Sequence, residues 1–155
     1  MLKPGDRAPD FSNPDADMNF VGLKEFAGKK NLVLYFYVRD DTPGCTIEAI
    51  EFSELENSFG KLDTVVLGVS RDDCIKHGEF RDKHGISVRL LADKEQETCN
   101  AYGVMQEKEV DGVKRNSVVR STFIIDKQGV IRHALYGVSS RGHAAEVLQL
   151  VKDLK

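Results

Sequence analysis

The chain has no tryptophan, only 4 prolines and 3 cysteines, and no long apolar run. Each scarcity excludes something. Its apolar stretches fall short of the roughly 18 residues that a membrane span needs. The opening Met1-Leu2-Lys3-Pro4-Gly5-Asp6 lacks the apolar core of a secretory signal, so a cytoplasmic protein without membrane contact is expected. Neither charge dominates: 22 Lys and Arg stand against 25 Asp and Glu, and a net charge of -3 offers no general attraction to nucleic acid. The cysteines, at positions 45, 74 and 99, are odd in number and match no zinc pattern, so neither a disulfide framework nor a structural metal is expected. Cys74 and His77 have a metal-like spacing, but no second pair accompanies them, and no cofactor is expected. No repeat, low-complexity tract or linker divides the 155 residues, which suffice for one domain with a proper core over 1–155.

What is present reads as alternating strands and helices. Ala8 to Phe11 and Met18 to Val21 flank the turn residues Asn13 to Asp17 and suggest an N-terminal hairpin, with a short helix from Gly22 to Phe26 stopping at Gly28. Leu32 to Val38 is a continuous apolar, β-branched and aromatic run, the mark of a strand buried on both faces. A helix follows from Pro43 to about Phe59, with Ala49, Phe52, Leu55 and Phe59 on one face. Thr64 to Ser70 is a second buried strand. Ser70 with Asp73 suggests the cap of a helix ending near His84-Gly85, and His77 and His84 are expected on its solvated face. Val88 to Leu91 is a short strand. Asp93 with Gln96 suggests a capping box for a helix ending at Gly103, and 104–119 reads as polar loop. Ser121 to Asp126 and Val130 to Tyr136 flank Lys127-Gln128-Gly129 as a hairpin, and the last helix carries Val147, Leu150, Val151 and Leu154. The order predicts an α/β fold: a central mixed sheet with helices on both faces.

Cys45 lies in Thr42-Pro43-Gly44-Cys45-Thr46, directly after the Leu32–Val38 strand. Thr42 is a favoured N-cap, Pro43 a favoured first helical residue, and Gly44 lets the backbone approach a small ligand. The thiol therefore falls in the first turn of a helix, where free amides and the helix dipole favour a thiolate. Cys45 is four residues before Ala49, so it points towards the buried face and is expected to be partly exposed. The first turn has no cation of its own. Arg39 is near in sequence, and Arg120, just before a strand, can be brought close if that strand neighbours Leu32–Val38. Arg120 can equally form a surface ion pair with Glu48. Asp40 and Asp41 oppose thiol ionisation and are expected to point outward.

The segments Tyr35-Phe36-Tyr37, Asp41-Thr42-Pro43-Gly44-Cys45-Thr46 with Glu48-Ala49, and Arg120-Ser121-Thr122-Phe123 resemble those of the peroxiredoxins, and more specifically the bacterioferritin comigratory protein, or Q-type, subfamily. The likeness extends over Gly5 to Phe11, Leu67-Gly68-Val69-Ser70, Phe80 to His84 and Ala101-Tyr102-Gly103-Val104. It implies a three-layer thioredoxin-like fold and thiol-dependent reduction of hydrogen peroxide and organic hydroperoxides. By that resemblance Cys45 is the peroxidatic cysteine, passing through a sulfenic acid. Thr42 would hydrogen-bond the peroxide, Arg120 would stabilise thiolate and leaving oxygen, and the Gly44 backbone amide would join them. Thioredoxin or another small thiol is the implied reductant, and a monomer is expected.

Two positions depart from the subfamily pattern. Val38 stands where proline is usual, and Ile50 where many members carry a resolving cysteine. A disulfide within the Cys45 helix is thereby excluded. An external thiol is the first expectation for resolution, Cys74 the next, after local unwinding, and Cys99 the last. A thiol–disulfide oxidoreductase is the alternative enzyme, although it normally needs Cys-X-X-Cys and Glu48 stands at the second cysteine's place. A redox-sensing or holdase-like binding protein is the non-catalytic alternative.

Overall fold

The structure, a computed structural model, describes residues 1–154. Its centre is a five-stranded sheet of order β5-β4-β3-β8-β9, built from β3 (Asn31–Phe36), β4 (Thr64–Ser70), β5 (Arg89–Ala92), β8 (Ser121–Ile125) and β9 (Ile131–Tyr136). β3, β4 and β5 run parallel, as helical crossovers require; β8 and β9 are antiparallel, as the hairpin sequence predicts.

Strand alternation divides the core in two. Val33, Tyr35 and Tyr37 face one side, where α1 (Pro43–Glu54), α2 (Glu56–Gly60), α3 (Cys74–His84) and α5 (His143–Lys152) contribute Cys45, Ala49, Phe52, Phe59, Phe80, Ala144 and Val147. Leu32, Leu34 and Phe36 face the other, against Phe11, Val21, Phe123 and, from α4 (Glu97–Ala101), Cys99. This is the expected three-layer arrangement. Among the described residues, no helix is long and apolar enough to cross a membrane.

Several local expectations are corrected. The first hairpin pairs β1 (Ser12–Pro14) with β2 (Phe20–Gly22), later than the apolar pairs suggest, because the Asp15 carboxylate organises the turn by accepting from the Asp17 and Asn19 amides. The helix after it is a single 3-10 turn, Leu23–Glu25. The helix expected to reach Phe59 breaks at Leu55 into α1 and α2, with Phe52 and Phe59 still buried. Residues expected as loop form an antiparallel hairpin, β6 (Met105–Val110) with β7 (Val113–Val118), around Asp111-Gly112, both with positive φ. Its strands are exposed on both faces for most of their length, so the apolar alternation that betrays a strand is missing. Asp93 does cap α4, accepting from the Thr98 and Cys99 amides, but Gln96 is not its capping-box partner: it is left-handed at φ 62° just before the helix. Of the α3 ends, Gly85 closes the helix at φ 65° as expected, but Ser70 takes no part in the cap: it ends β4 and its hydroxyl donates to Asp72, while Asp73 is itself the N-cap and accepts from the Lys76 amide.

Gly68 on β4 lies beside Tyr35 on β3. A Cβ at Gly68 would meet the Tyr35 ring at 2.7 Å, and that ring is fixed by stacking on Phe52 at 4.6 Å between centroids. Gly68→Ala is expected to destabilise the fold by about 1–3 kcal/mol through overpacking. Urea unfolding measures this, and a midpoint equal to wild type would show that the ring can yield.

Candidate active site

The thiol is placed by the junction of β3 and α1. Pro43 is the first helical residue and Cys45 lies in the first turn, where its amide and that of Gly44 are left without helical acceptors. Cys45 is more buried than expected, 1% exposed, because its side chain joins Ala49 and Phe52 in the core. Thr42 has extended backbone, as an N-cap does, but its side chain does not cap α1; the hydroxyl donates to the Arg39 carbonyl at 3.0 Å.

Arg120 arrives from the neighbouring strand. Ser121 pairs with Phe36, so the residue before it stands at the end of β3 from which α1 departs. Arg120 Nη2 donates to Cys45 Sγ at 3.3 Å, and Nη1 donates to Glu48 Oε1 at 2.6 Å. Both sequence expectations for Arg120 are thus realised together, except that the ion pair is internal: the Glu48 side chain is fully buried. Burial pushes the Glu48 carboxyl up to about 8, with Arg120 opposing the shift. Among the described residues, Glu48 Oε2 has no hydrogen-bond partner, nor has the buried Tyr35 hydroxyl. Gly44 makes room for this closure: a Cβ there would lie 3.2 Å from Arg120 Nη2 and 3.4 Å from Ser140 Oγ. Ser140, from the loop after β9, carries no sequence signal for such a place.

The loop between β3 and α1 is held by α3. The Asp40 carboxylate turns inward rather than outward. It receives the Tyr37 hydroxyl at 2.5 Å and lies 2.6 Å from His77 Nδ1, while its backbone amide donates to Asp72 at 2.7 Å. His77 is wholly buried, not solvated, because it shares the inner face of α3 with Phe80. Its Nε2 faces the Leu91 carbonyl at 2.9 Å and must therefore donate. His84 is half-buried and pairs, with Lys83, to Asp41, which is exposed as expected. Asp40, Asp72 and His77 lie close enough to hold a metal ion, but these atoms already bond one another, the Ser70 hydroxyl or the Leu91 carbonyl. Val38 and Ile50 pack against the core that contains Cys45.

All three cysteines are free thiols. Cys99 lies in the core on the opposite face of the sheet from Cys45, and burial together with the Asp93 carboxylate raises its thiol far above the ordinary range. Cys74, in the first turn of α3, lines a cavity with Ser12, Pro14 and Asp93; burial, Asp73 and Asp15 raise its thiol. Below Arg120, Thr122 on β8 and the buried His143 of α5 share a 2.7 Å hydrogen bond.

A strand-to-helix thiol under an arginine from the antiparallel neighbour, on a mixed sheet between two cores, defines a thioredoxin-fold peroxidase of the peroxiredoxin class. The sequence model of the AhpC/TSA family matches residues 4–134, and the chain belongs to that family. Peroxiredoxin Bcp of Bacillus subtilis is 41% identical over 150 residues, which cover 97% of this chain and 95% of that one. Among solved structures, a cysteine-to-serine mutant of PrxQ from Xylella fastidiosa superposes with a TM-score of 0.92 at 33% identity, covering 98% of this chain and 96% of that one. The bacterioferritin comigratory protein of Xanthomonas campestris, described for its alkyl peroxide reduction activity, superposes with a TM-score of 0.88 at 34% identity, covering 92% and 90%.

Burial holds His143 below its ordinary value of 6.5. Below about that pH the unfolded chain takes up a proton that the folded imidazole resists, so His143 contributes stability above pH 6.5 that is lost as pH falls. His143→Gln lacks this loss. Urea midpoints at pH 7 and pH 5 should therefore show the deficit of His143→Gln relative to wild type narrowing at pH 5, and a constant deficit would contradict a neutral buried imidazole.

Proposed function

We propose that Cys45 is the nucleophile of this thiol-dependent peroxidase, with the whole chain acting as one catalytic domain, a monomer in the cytoplasm. The observation that carries the reading is the 3.3 Å approach of Arg120 Nη2 to Cys45 Sγ at a helix N-terminus. The thiolate sulfur attacks one peroxide oxygen; the S–O bond forms, the O–O bond breaks, and its electron pair leaves with the second oxygen. Cys45 becomes a sulfenic acid, and the departing oxygen takes up a proton as water or alcohol. Arg120 stabilises first the thiolate and then the charge growing on the leaving oxygen. The Gly44 and Cys45 amides, left without helical acceptors in the first turn of α1, join it. The Thr42 hydroxyl has its hydrogen committed to the Arg39 carbonyl and so offers a lone pair to the peroxide O–H. Hydrogen peroxide and organic hydroperoxides both carry the O–O bond that this step breaks.

The sulfenic acid is reduced from outside, by thioredoxin or a small thiol. Ile50 removes the partner within α1, Cys99 is on the far face of the sheet, and Cys74 faces the first hairpin. Glu48 at the place of a second Cys-X-X-Cys sulfur speaks against disulfide exchange as the main activity.

Rapid mixing of reduced protein with limiting peroxide tests the assignment. Cys45→Ser should fall to the background rate, and Arg120→Ala should lose on the order of 100-fold or more. An unchanged rate in Arg120→Ala would remove it from the mechanism. Cys74→Ser with Cys99→Ser should retain thioredoxin-supported turnover. A Cys45–Cys74 peptide found by mass spectrometry after one oxidation would instead establish an internal resolver.

A further inference from the structure

Glu48 enters the chemistry above only as an anchor for Arg120, yet its burial is costly. The side chain is fully buried, Oε1 takes Arg120 at 2.6 Å, and Oε2 has no partner. A buried carboxylate oxygen without a donor is among the dearest arrangements in a protein interior, whereas a carboxylic acid there leaves only a neutral hydroxyl unpaired. The charges around the site sharpen the point. Among the described residues, Arg120 is the one opposite charge acting on Glu48; the other charge that reaches it, Glu51 from the same helix, has the same sign. From α5, His143 is held neutral by burial. From β3 and its extension, Tyr35 and Tyr37 are held protonated by burial, with the nearby carboxylates acting in the same direction. Asp40, in the loop before α1, is committed to Tyr37 and His77. One guanidinium, bonded through separate nitrogens to Cys45 and Glu48, thus serves two acids.

We propose that Cys45 and Glu48 share a single proton against the one positive charge of Arg120, so that the thiolate coexists with Glu48 as a carboxylic acid, and that Glu48 surrenders this proton when the sulfur is oxidised. The proposal rests on Cys45 being the peroxide-reducing thiol. The step balances. Before attack, the thiolate and the guanidinium cancel beside a neutral Glu48. The sulfur gains oxygen and becomes a neutral sulfenic acid, the O–O electron pair departs with RO⁻, and RO⁻ becomes ROH with the proton from Glu48, directly or by way of water. Afterwards the Glu48 carboxylate and the guanidinium cancel. The buried site is neutral at both ends, and no net charge has to be carried in a medium that opposes it. The upward push that burial exerts on Glu48 is in the same sense.

Isotope-edited infrared spectroscopy of the full chain with carbon-13 glutamate tests this near pH 7, in a Cys74→Ser background so that the half-buried Cys74 does not take up the alkylating reagent. Near-ultraviolet absorbance reports the thiolate in parallel. Full thiolate absorbance with one glutamic acid C=O band is expected; alkylating Cys45 with iodoacetamide should replace that band by carboxylate bands. Glu48→Gln should show no such band at any stage. It should reduce peroxide about 100-fold more slowly at undiminished thiolate content, the size expected when a proton donor is lost. Thiolate without the acid band, or an acid band that alkylation does not change, would overturn the sharing; an unaltered rate in Glu48→Gln would overturn the release. The infrared difference needs no substitution at Glu48 and no peroxide. Failure of the peroxidase reading would appear separately, as wild-type protein that does not accelerate peroxide loss.

Discussion

The guanidinium of Arg120, forked between Cys45 Sγ and Glu48 Oε1, is the interaction on which the rest of the arrangement depends. It works only because β8 runs antiparallel beside β3, which puts the residue before Ser121 next to the strand end from which α1 starts. It works also because Gly44 has no Cβ; a methyl there would press on Nη2 and on Ser140. The Val138 amide donates to the Arg120 carbonyl at 2.9 Å, so the backbone of the arginine is fixed from the loop after β9 as well. A flexible side chain thereby becomes a directed pair of donors, which is the form in which charge stabilisation needs no reorganisation as the reaction proceeds.

The helix start itself is held from the other side of the molecule. Asp40 and Asp41 connect the loop before α1 to α3 through His77, Asp72, Lys83 and His84. The inner bonds are buried and act at full strength, whereas the Lys83 pair is largely exposed and contributes little beyond orientation. α3 is therefore not only a crossover between β4 and β5; it sets the angle at which the chain enters the first turn of α1.

Much of this could be read from the residues. Apolar continuity marked β3 and β4, turn chemistry marked the β8–β9 hairpin, and Thr42-Pro43-Gly44 marked the start of α1. Legibility failed where tertiary context overrides a local pattern. β6 and β7 alternate charges and carry almost no buried face, and the polar-loop reading of 104–119 passes over their one local signal, the Asp111-Gly112 turn. His77 and Asp40 look solvated because isolated polar residues usually are, and their contact across a gap of 37 positions has no local signature. Thr42 looks like a side-chain cap, but its hydroxyl is taken by a backbone carbonyl three residues earlier. Glu48 was visible as a partner for Arg120; its burial was not, since α1 shows no strong separation of polar and apolar faces around it.

The near-complete burial of Cys45 also sorts its reaction partners by size. A peroxide needs to bring only an oxygen tip to the sulfur, and it can do so with α1 intact. A protein thiol must come to a sulfur–sulfur bond length of about 2 Å, carrying a backbone behind it. On the proposed reading, with no cysteine at position 50, a protein reductant would reach the sulfenic acid only once the first turn of α1 has loosened. Oxidation and recycling would then use different conformations of one helix end. The interval between them would be set by how often that turn opens, and through it the sulfur would stand open to a second peroxide and to irreversible overoxidation.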